Sequence, residues 1–222
     1  MTLMLHYHPF SSFCQKVLVA LYEREVPFEK AVVDLSDPDQ RAALAQLWPM
    51  AKFPVLRDEA RDRTVPESSL IVEYLDRVHA GPPPLVPLDP DSAMKARLWD
   101  RFFDQYVELP LQKAVGDRFR PDGARDPHGV EEAGVLIERA YDLLEDALSE
   151  GQTWIAGDSF TLADCGAAPA LFYAHMVRPF ERRPRLEAYY GRLRARPSFA
   201  RAVDEARRFR SFFPLPWPEG WD

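Results

Sequence analysis

Tyr7-His8-Pro9-Phe10-Ser11-Ser12-Phe13-Cys14-Gln15-Lys16-Val17-Leu18 is the stretch on which the reading of this chain turns. A short apolar strand, Leu3 to Leu5, precedes it. Cys14, Val17, Leu18 and Leu21 then recur at i, i+3, i+4 and i+7, the spacing of one helical face. Two hydroxyls, Ser11 and Ser12, therefore stand at a strand-to-helix junction, where unpaired N–H groups are exposed. Backbone donors and the positive end of the helix dipole make such a junction a seat for an anion. The phase puts Cys14 on the buried stripe and the serines at the open end.

Working outward, strand and helix signals alternate over the first 80 residues. Leu3–His6 reads as a strand, Ser12–Arg24 as a helix and Phe28–Asp34 as a Val-rich strand. Asp37-Pro38 opens the next helix with Asp as N-cap and Pro at N1, and this helix ends before Pro49. Val55–Asp58 and Arg63–Val65 form a hairpin. Pro66-Glu67 starts a helix with the stripe Leu70, Ile71, Tyr74, Leu75 and Val78. The order βαβαββα predicts an α/β unit with a mixed sheet.

Residues 81–90 break the pattern, because repeated proline permits neither helix nor central strand and makes a stiff linker. Helical period follows over Ser92–Ala114, Val130–Leu148, Leu162–Val177, Arg185–Ala195 and Ser198–Phe209. The expected domains are 1–80, α/β, and 91–222, all-α, with an aromatic tail. That tail, Phe212 to Trp221, contains three prolines and five large apolar residues, so it is predicted to pack back onto the protein. Two sites suit it, the cleft between the domains and the outer face of the helical one.

Composition sets bounds. The 222 residues, 46% hydrophobic and 28% charged, suit a globular chain with a sizeable core. The net charge of −7 argues against a nucleic-acid or anionic-membrane binder. The charge is uneven: Arg178 to Arg210 holds 11 Arg against 4 acids and is +7. That segment reads as solvated helix faces or as a basic flank that draws in an anionic substrate. Two cysteines, Cys14 and Cys165, make no disulfide framework and fit a reducing compartment. With no signal peptide or membrane span predicted, the expected location is cytoplasmic. The five histidines share no ligand spacing, so no metal site is expected.

Four separated pieces resemble one family. The first is Ser11-Ser12-Phe13-Cys14-Gln15-Lys16-Val17. The second, Trp48-Pro49-Met50-Ala51-Lys52-Phe53-Pro54-Val55-Leu56, is similar to the N-P-x-G-K-V-P-V-L segment of soluble glutathione S-transferases. The third, Glu67-Ser68-Ser69-Leu70-Ile71-Val72-Glu73-Tyr74-Leu75, resembles their E-S-x-x-I-x-x-Y-L. The fourth, Trp154 to Asp164, resembles their W-x-x-G-x-x-x-T-x-A-D helix start. Its Thr161 and Asp164 form a capping box, a structural signal. Three departures stand out: Phe13 where the isomerase branch has Cys, Trp48 for Asn, and Ala51 for Gly. They leave the subclass unassigned within a serine-type, bacterial-like reading.

The resemblance implies a thioredoxin-like N-terminal domain and an all-helical C-terminal domain. It implies glutathione as co-substrate, an apolar acceptor pocket between the domains, and a homodimer. Ser11, with Ser12 as understudy, falls where the family carries the hydroxyl that donates to the glutathione thiolate. A free thiol of pKa about 8.5 is only a few per cent ionised at neutral pH, so such a donor matters. The structural alternative for both serines is N-capping. Phe53-Pro54 would be a cis peptide presenting the Phe53 backbone to the cysteinyl part. Lys52 would meet the glycyl carboxylate, and Glu67 and Ser68 the γ-glutamyl end. Their alternatives are a solvated lysine and a capped first turn.

Phe10, Trp99, Phe103 and Tyr106 are the candidate acceptor wall, with ordinary core as the alternative for at least half of the aromatic residues there. Cys14 has the spacing of a C-x-x-C whose first cysteine is replaced. It reads as a small buried hydrophobe, against a redox role. The expected activity, with detoxification as its context, is transfer of the glutathione thiolate to an apolar electrophile. The alternatives are glutathione-dependent disulfide or peroxide reduction and a non-catalytic binding module.

Overall fold

The computed structural model describes residues 3–79, 81–148 and 151–213. They fall into two units: one built from the N-terminal 86 residues together with the stretch from Pro197 onward, the other Pro87–Arg196.

The first unit begins β1 (Leu3–Tyr7), α1 (Ser12–Glu23), β2 (Glu29–Val32), α2 (Pro38–Leu47), β3 (Val55–Asp58), β4 (Arg63–Pro66) and α3 (Ser68–Val78). This is the βαβαββα order read from the sequence. The sheet runs β2-β1-β3-β4. β1 pairs parallel with β2, and Leu5 lies opposite Lys30. It pairs antiparallel with β3, and Leu5 lies opposite Leu56. Alternation along β1 buries Leu3, Leu5 and Tyr7 on one face. Against them pack Val17, Leu18 and Leu21 of α1 and Ile71 and Leu75 of α3. Val33, Val55 and Leu44 of α2 form a separate core cluster. Cys14 is fully buried, on the stripe the period assigned to it.

The second unit contains α4 (Pro90–Phe102), a π-helical segment (Phe103–Glu108), α5 (Leu109–Asp117), α6 (Pro127–Ala147), α7 (Leu162–Val177) and α8 (Pro184–Ala195). The sequence suggests one regular helix across 92–114, but six of its residues are wound more widely. Pro110 is the physical reason. It has no N–H to donate, and its ring crowds the carbonyl one turn back. The widened turn relieves that, and Leu109 donates instead to the Asp104 carbonyl, five residues back. The core of α7, Leu162 to Leu171, is buried on all sides, as expected of a helix that is apolar all round. Its N-terminus is closed by Asp164, which accepts from Thr161 N at 2.8 Å and from Tyr189 Oη at 2.6 Å.

The last helix, α9 (Pro197–Arg207), groups in space with the first unit. Ala202 joins the core under α1, and Tyr22 Oη of α1 donates to Glu205 at 2.6 Å. Lys30 closes on the same carboxylate. Several arginines of the basic segment are partnered within their own units. Arg178 and Arg183 pair with Glu138 at 2.6 and 2.7 Å. Arg196 lies 4.3 Å from the Phe160 ring and Arg201 4.1 Å from the Tyr22 ring. Partnered arginines of this kind favour the structural reading of the basic segment over a substrate-steering one.

Candidate functional site

The junction after β1 is built by its own polar atoms. Ser11 is the N-cap of α1, in extended conformation, and its Oγ accepts from Cys14 N at 3.3 Å. Ser11 N donates to the His8 carbonyl at 3.1 Å, which tightens the turn. Gln15, buried, reaches back and donates to the Pro9 carbonyl at 2.9 Å. No acid stands in the first turn of α1, so the positive end of its dipole is not neutralised by its own side chains.

Capping and catalysis are compatible at Ser11. A hydroxyl has one donor and two acceptor lone pairs. The cap uses a lone pair, and the O–H, which here turns to the Cys14 thiol, rotates freely enough to donate to a ligand instead. Ser12 is nearly buried, at 6% exposure, whereas Ser11 is half-buried at the open end. A third hydroxyl, Tyr7 at the end of β1, points into other chemistry. Burial raises its pKa, and Arg208 opposes that by hydrogen-bonding it.

Cys14 is shielded from chemistry. Burial pushes its thiol up to about 12, outweighing the hydrogen bonds from Ser11 and His8. His8 N donates to its sulfur at 3.4 Å. A thiol of that pKa is a packing group at neutral pH.

The other predicted residues sit as follows. The Phe53–Pro54 bond is cis. Pro54 is buried, Phe53 half-buried and Lys52 exposed. Ala51, where the resembling segment has glycine, holds φ 48, the left-handed region that glycine enters without strain. Glu67 holds φ 70 at the N-cap of α3 and makes no side-chain cap bond, so its carboxylate is not used to close the helix. A strained non-glycine residue of this kind persists where the surroundings impose it. Ser68 is buried beside it, at 5% exposure. Lys16 of α1, fully buried, donates to Ser69 at 3.0 Å and ties α1 to the start of α3. The His8 ring stacks on Phe53 at 5.6 Å and 17°. The three motif segments of the first unit are thus tied into one another.

Phe10 is half-buried in that same unit. Trp99, Phe103 and Tyr106 lie in the second unit, around Phe102. They separate by exposure: Phe103 is fully buried and Tyr106 is 45% exposed. Phe103 is packed inside the helical unit, edge-on to Phe102.

Sequence reasoning missed His8, Gln15 and Lys16. The only signal was their membership of the opening stretch. His8 Nδ1 accepts from Phe10 N at 3.3 Å, which requires a neutral ring with its proton on Nε2. Burial lowers the His8 pKa, against the opposing charge of Asp34. The aromatic tail divides at the limit of the described residues. Phe212 and Phe213 pack within the first unit, at 5.8 Å from His8 and 5.2 Å from Phe10. The remaining expectation, for 214–222, lies outside the described residues.

Comparison with known proteins follows this geometry. Residues 5–83 match the glutathione S-transferase N-terminal domain family, and residues 127–192 match the C-terminal domain family. Glutathione S-transferase 3 of Zea mays is 31% identical, over 97% of this chain and 96% of its own. Among solved structures, a glutathione S-transferase of Methylobacillus flagellatus with glutathione bound is 28% identical. It superposes with a TM-score of 0.81, covering 90% of this chain and 98% of that one. Another, from Methylobacterium radiotolerans in complex with glutathione sulfonate, is 29% identical with a TM-score of 0.80, covering 91% and 94%.

Proposed function

The chain belongs to the glutathione S-transferase family, and on that premise we propose which of its residues carry the chemistry. It is a glutathione transferase with glutathione as co-substrate. The bound thiol loses its proton to solvent, the thiolate sulfur forms a bond to an electrophilic carbon, and the leaving group departs with its electron pair. The protein contributes proximity and charge stabilisation.

Ser11 donates to the thiolate. The observation that carries this assignment is its cap geometry. Its Oγ accepts from Cys14 N at the half-buried, unneutralised helix N-terminus, and a bound thiolate competes for the O–H with the buried, un-ionised Cys14 thiol. Ser12, buried within the first turn, is the reserve donor. The Phe53 backbone beside Pro54 meets the cysteinyl part, and Lys52 meets the glycyl carboxylate as a point charge. Glu67 and Ser68 hold the γ-glutamyl end. The free Glu67 carboxylate suits the amino group, and Ser68 at the α3 N-terminus suits the carboxylate. Phe10, half-buried beside the Ser11 turn, faces an apolar acceptor.

The test is an acceptor panel of aryl halides, bis-glutathionyl disulfides and organic peroxides, run with calorimetry of glutathione itself. Conjugation of the carbon electrophiles is expected. Turnover confined to disulfides and peroxides would replace this reading by thiol-dependent reduction. Glutathione binding with no turnover at all would leave a binding module.

The protein is a homodimer in this proposal. Met94 and Leu98 of α4 lie one turn apart and are 67% and 64% exposed, an apolar stripe suited to a second copy. Sedimentation at micromolar concentration giving only a 25.5 kDa species would overturn it. A cytoplasmic location fits two buried cysteines that form no disulfide. No described helix is long and apolar enough to cross a membrane.

A further inference from the structure

His8 is bonded three ways to the turn that follows it. Its carbonyl accepts from Ser11 N at 3.1 Å, and its Nδ1 accepts from Phe10 N at 3.3 Å. Its own N–H donates to the Cys14 sulfur at 3.4 Å. The first two bonds fold Pro9-Phe10-Ser11 into the loop whose last residue is the N-cap of α1. A side-chain acceptor that takes the N–H two residues on is the device by which Asp and Asn shape turns. Here an imidazole fills that role.

An imidazole nitrogen accepts only when it carries no proton. Protonation sets an N–H on Nδ1 against the Phe10 N–H, two donors face to face. The bond therefore exists only while the ring is neutral. Burial keeps the ring neutral by lowering its pKa, and the charge of Asp34, beyond β2, opposes this. The other neighbours carry no charge. Cys14 of α1 is an un-ionised thiol, and the rings around His8 are Phe10, Phe53 and Phe212.

We propose that His8 is a positioning residue for the thiol seat: its neutral Nδ1 sets the Phe10–Ser11 turn and with it the aim of the Ser11 hydroxyl, and acid releases that turn. The proposal rests on the reading of Ser11 as the thiolate donor. His8 touches no reacting atom. Its effect passes through Ser11 onto the ionisation of the bound thiol.

Two reciprocal variants separate the acceptor from the ring. His8→Phe keeps a ring to stack on Phe53 and removes the acceptor. His8→Asn removes the ring and keeps an acceptor that reaches the N–H two residues on. The measurements are thiolate ultraviolet absorbance of bound glutathione against pH, kcat/KM against pH, and calorimetry of S-methylglutathione, which has no thiol to ionise. At neutral pH, His8→Phe should raise the bound-thiol pKa by about 0.5–1 and cut kcat/KM about fivefold, the scale of one neutral hydrogen bond. His8→Asn should restore both to within about twofold of the wild type. Both variants should bind S-methylglutathione as the wild type does. Below about pH 6.5 the wild type should lose ground to His8→Asn, whose amide does not titrate, by about fivefold once the ring is charged. If His8→Asn is as impaired as His8→Phe, or its ratio to the wild type is flat with pH, the inference falls. If His8→Phe weakens S-methylglutathione as much as it slows turnover, His8 serves the fold of the whole site and the inference falls. If His8→Phe keeps the wild-type thiol pKa while Ser11→Ala raises it, the inference falls and the Ser11 reading stands. If Ser11→Ala leaves the thiol pKa unmoved, that reading falls and takes the inference with it.

Discussion

Replacing Ser11 by Ala removes two things at once, and their sizes differ. The cap bond to Cys14 N is long, 3.3 Å, so its loss sits at the low end of N-cap costs, about 0.5–1 kcal/mol. The donated bond to a thiolate is charge-assisted and contributes about 1.5–3 kcal/mol. At about 1.4 kcal/mol per factor of ten, that raises the bound thiol pKa by about 1 to 2 and slows neutral-pH turnover about 10- to 150-fold. The sign follows from charge: the lost donor favoured the ionised form, so the rise of kcat/KM with pH moves to higher pH. The variant should approach the wild type once pH exceeds the new pKa. Ser11→Gly isolates the chemistry, because glycine caps at a cost of only a few tenths of a kcal/mol. It should melt closer to the wild type and be as slow as Ser11→Ala. The assay is thiolate ultraviolet absorbance of bound glutathione against pH, paired with kcat/KM profiles and melting curves. The reasoning is refuted if both Ser11 variants keep the wild-type thiol pKa, or if Ser12→Ala reproduces the shift and they do not.

Other expectations are shorter. With its pKa pushed up to about 12 by burial, the Cys14 thiol stays protonated at neutral pH. Cys14→Ala should therefore lower stability by about 1–2 kcal/mol and change turnover less than twofold, and alkylation of the native protein at Cys14 should be negligible. Loss of activity in a well-folded Cys14→Ala protein would favour a redox role. Phe103→Ala should cost about 3–5 kcal/mol in chemical denaturation, as a fully buried ring does. Tyr106→Ala should cost under about 1 kcal/mol, and equal losses would contradict the assignment of Phe103 to the core. Ala51→Gly should stabilise by about 0.5–1 kcal/mol, because φ 48 strains a Cβ-bearing residue; an unchanged or lowered denaturation midpoint would show that the loop relaxes.

The sequence by itself determined what local rules govern. Alternation in Leu3–Tyr7, the i, i+3, i+4 stripe of Cys14 to Leu21, and the caps at Ser11, Asp37 and Thr161 act within about four residues. The element order of the first unit and the burial of Cys14 were therefore legible in the sequence. So was the candidate thiol seat, but not which serine serves it, since Ser11 and Ser12 both satisfy capping chemistry. Tertiary structure supplied the exposure difference between them, and it drew Tyr7 into contact with Arg208. It also moved α9 to the first unit through Ala202 and the Glu205 pairings, contacts that span about 180 residues and leave no periodic trace. The same holds for Phe212 on His8. Each ring looks like generic apolar surface in the sequence, and only the closing of a long chain segment, repaid by non-directional burial, decides which ring meets which.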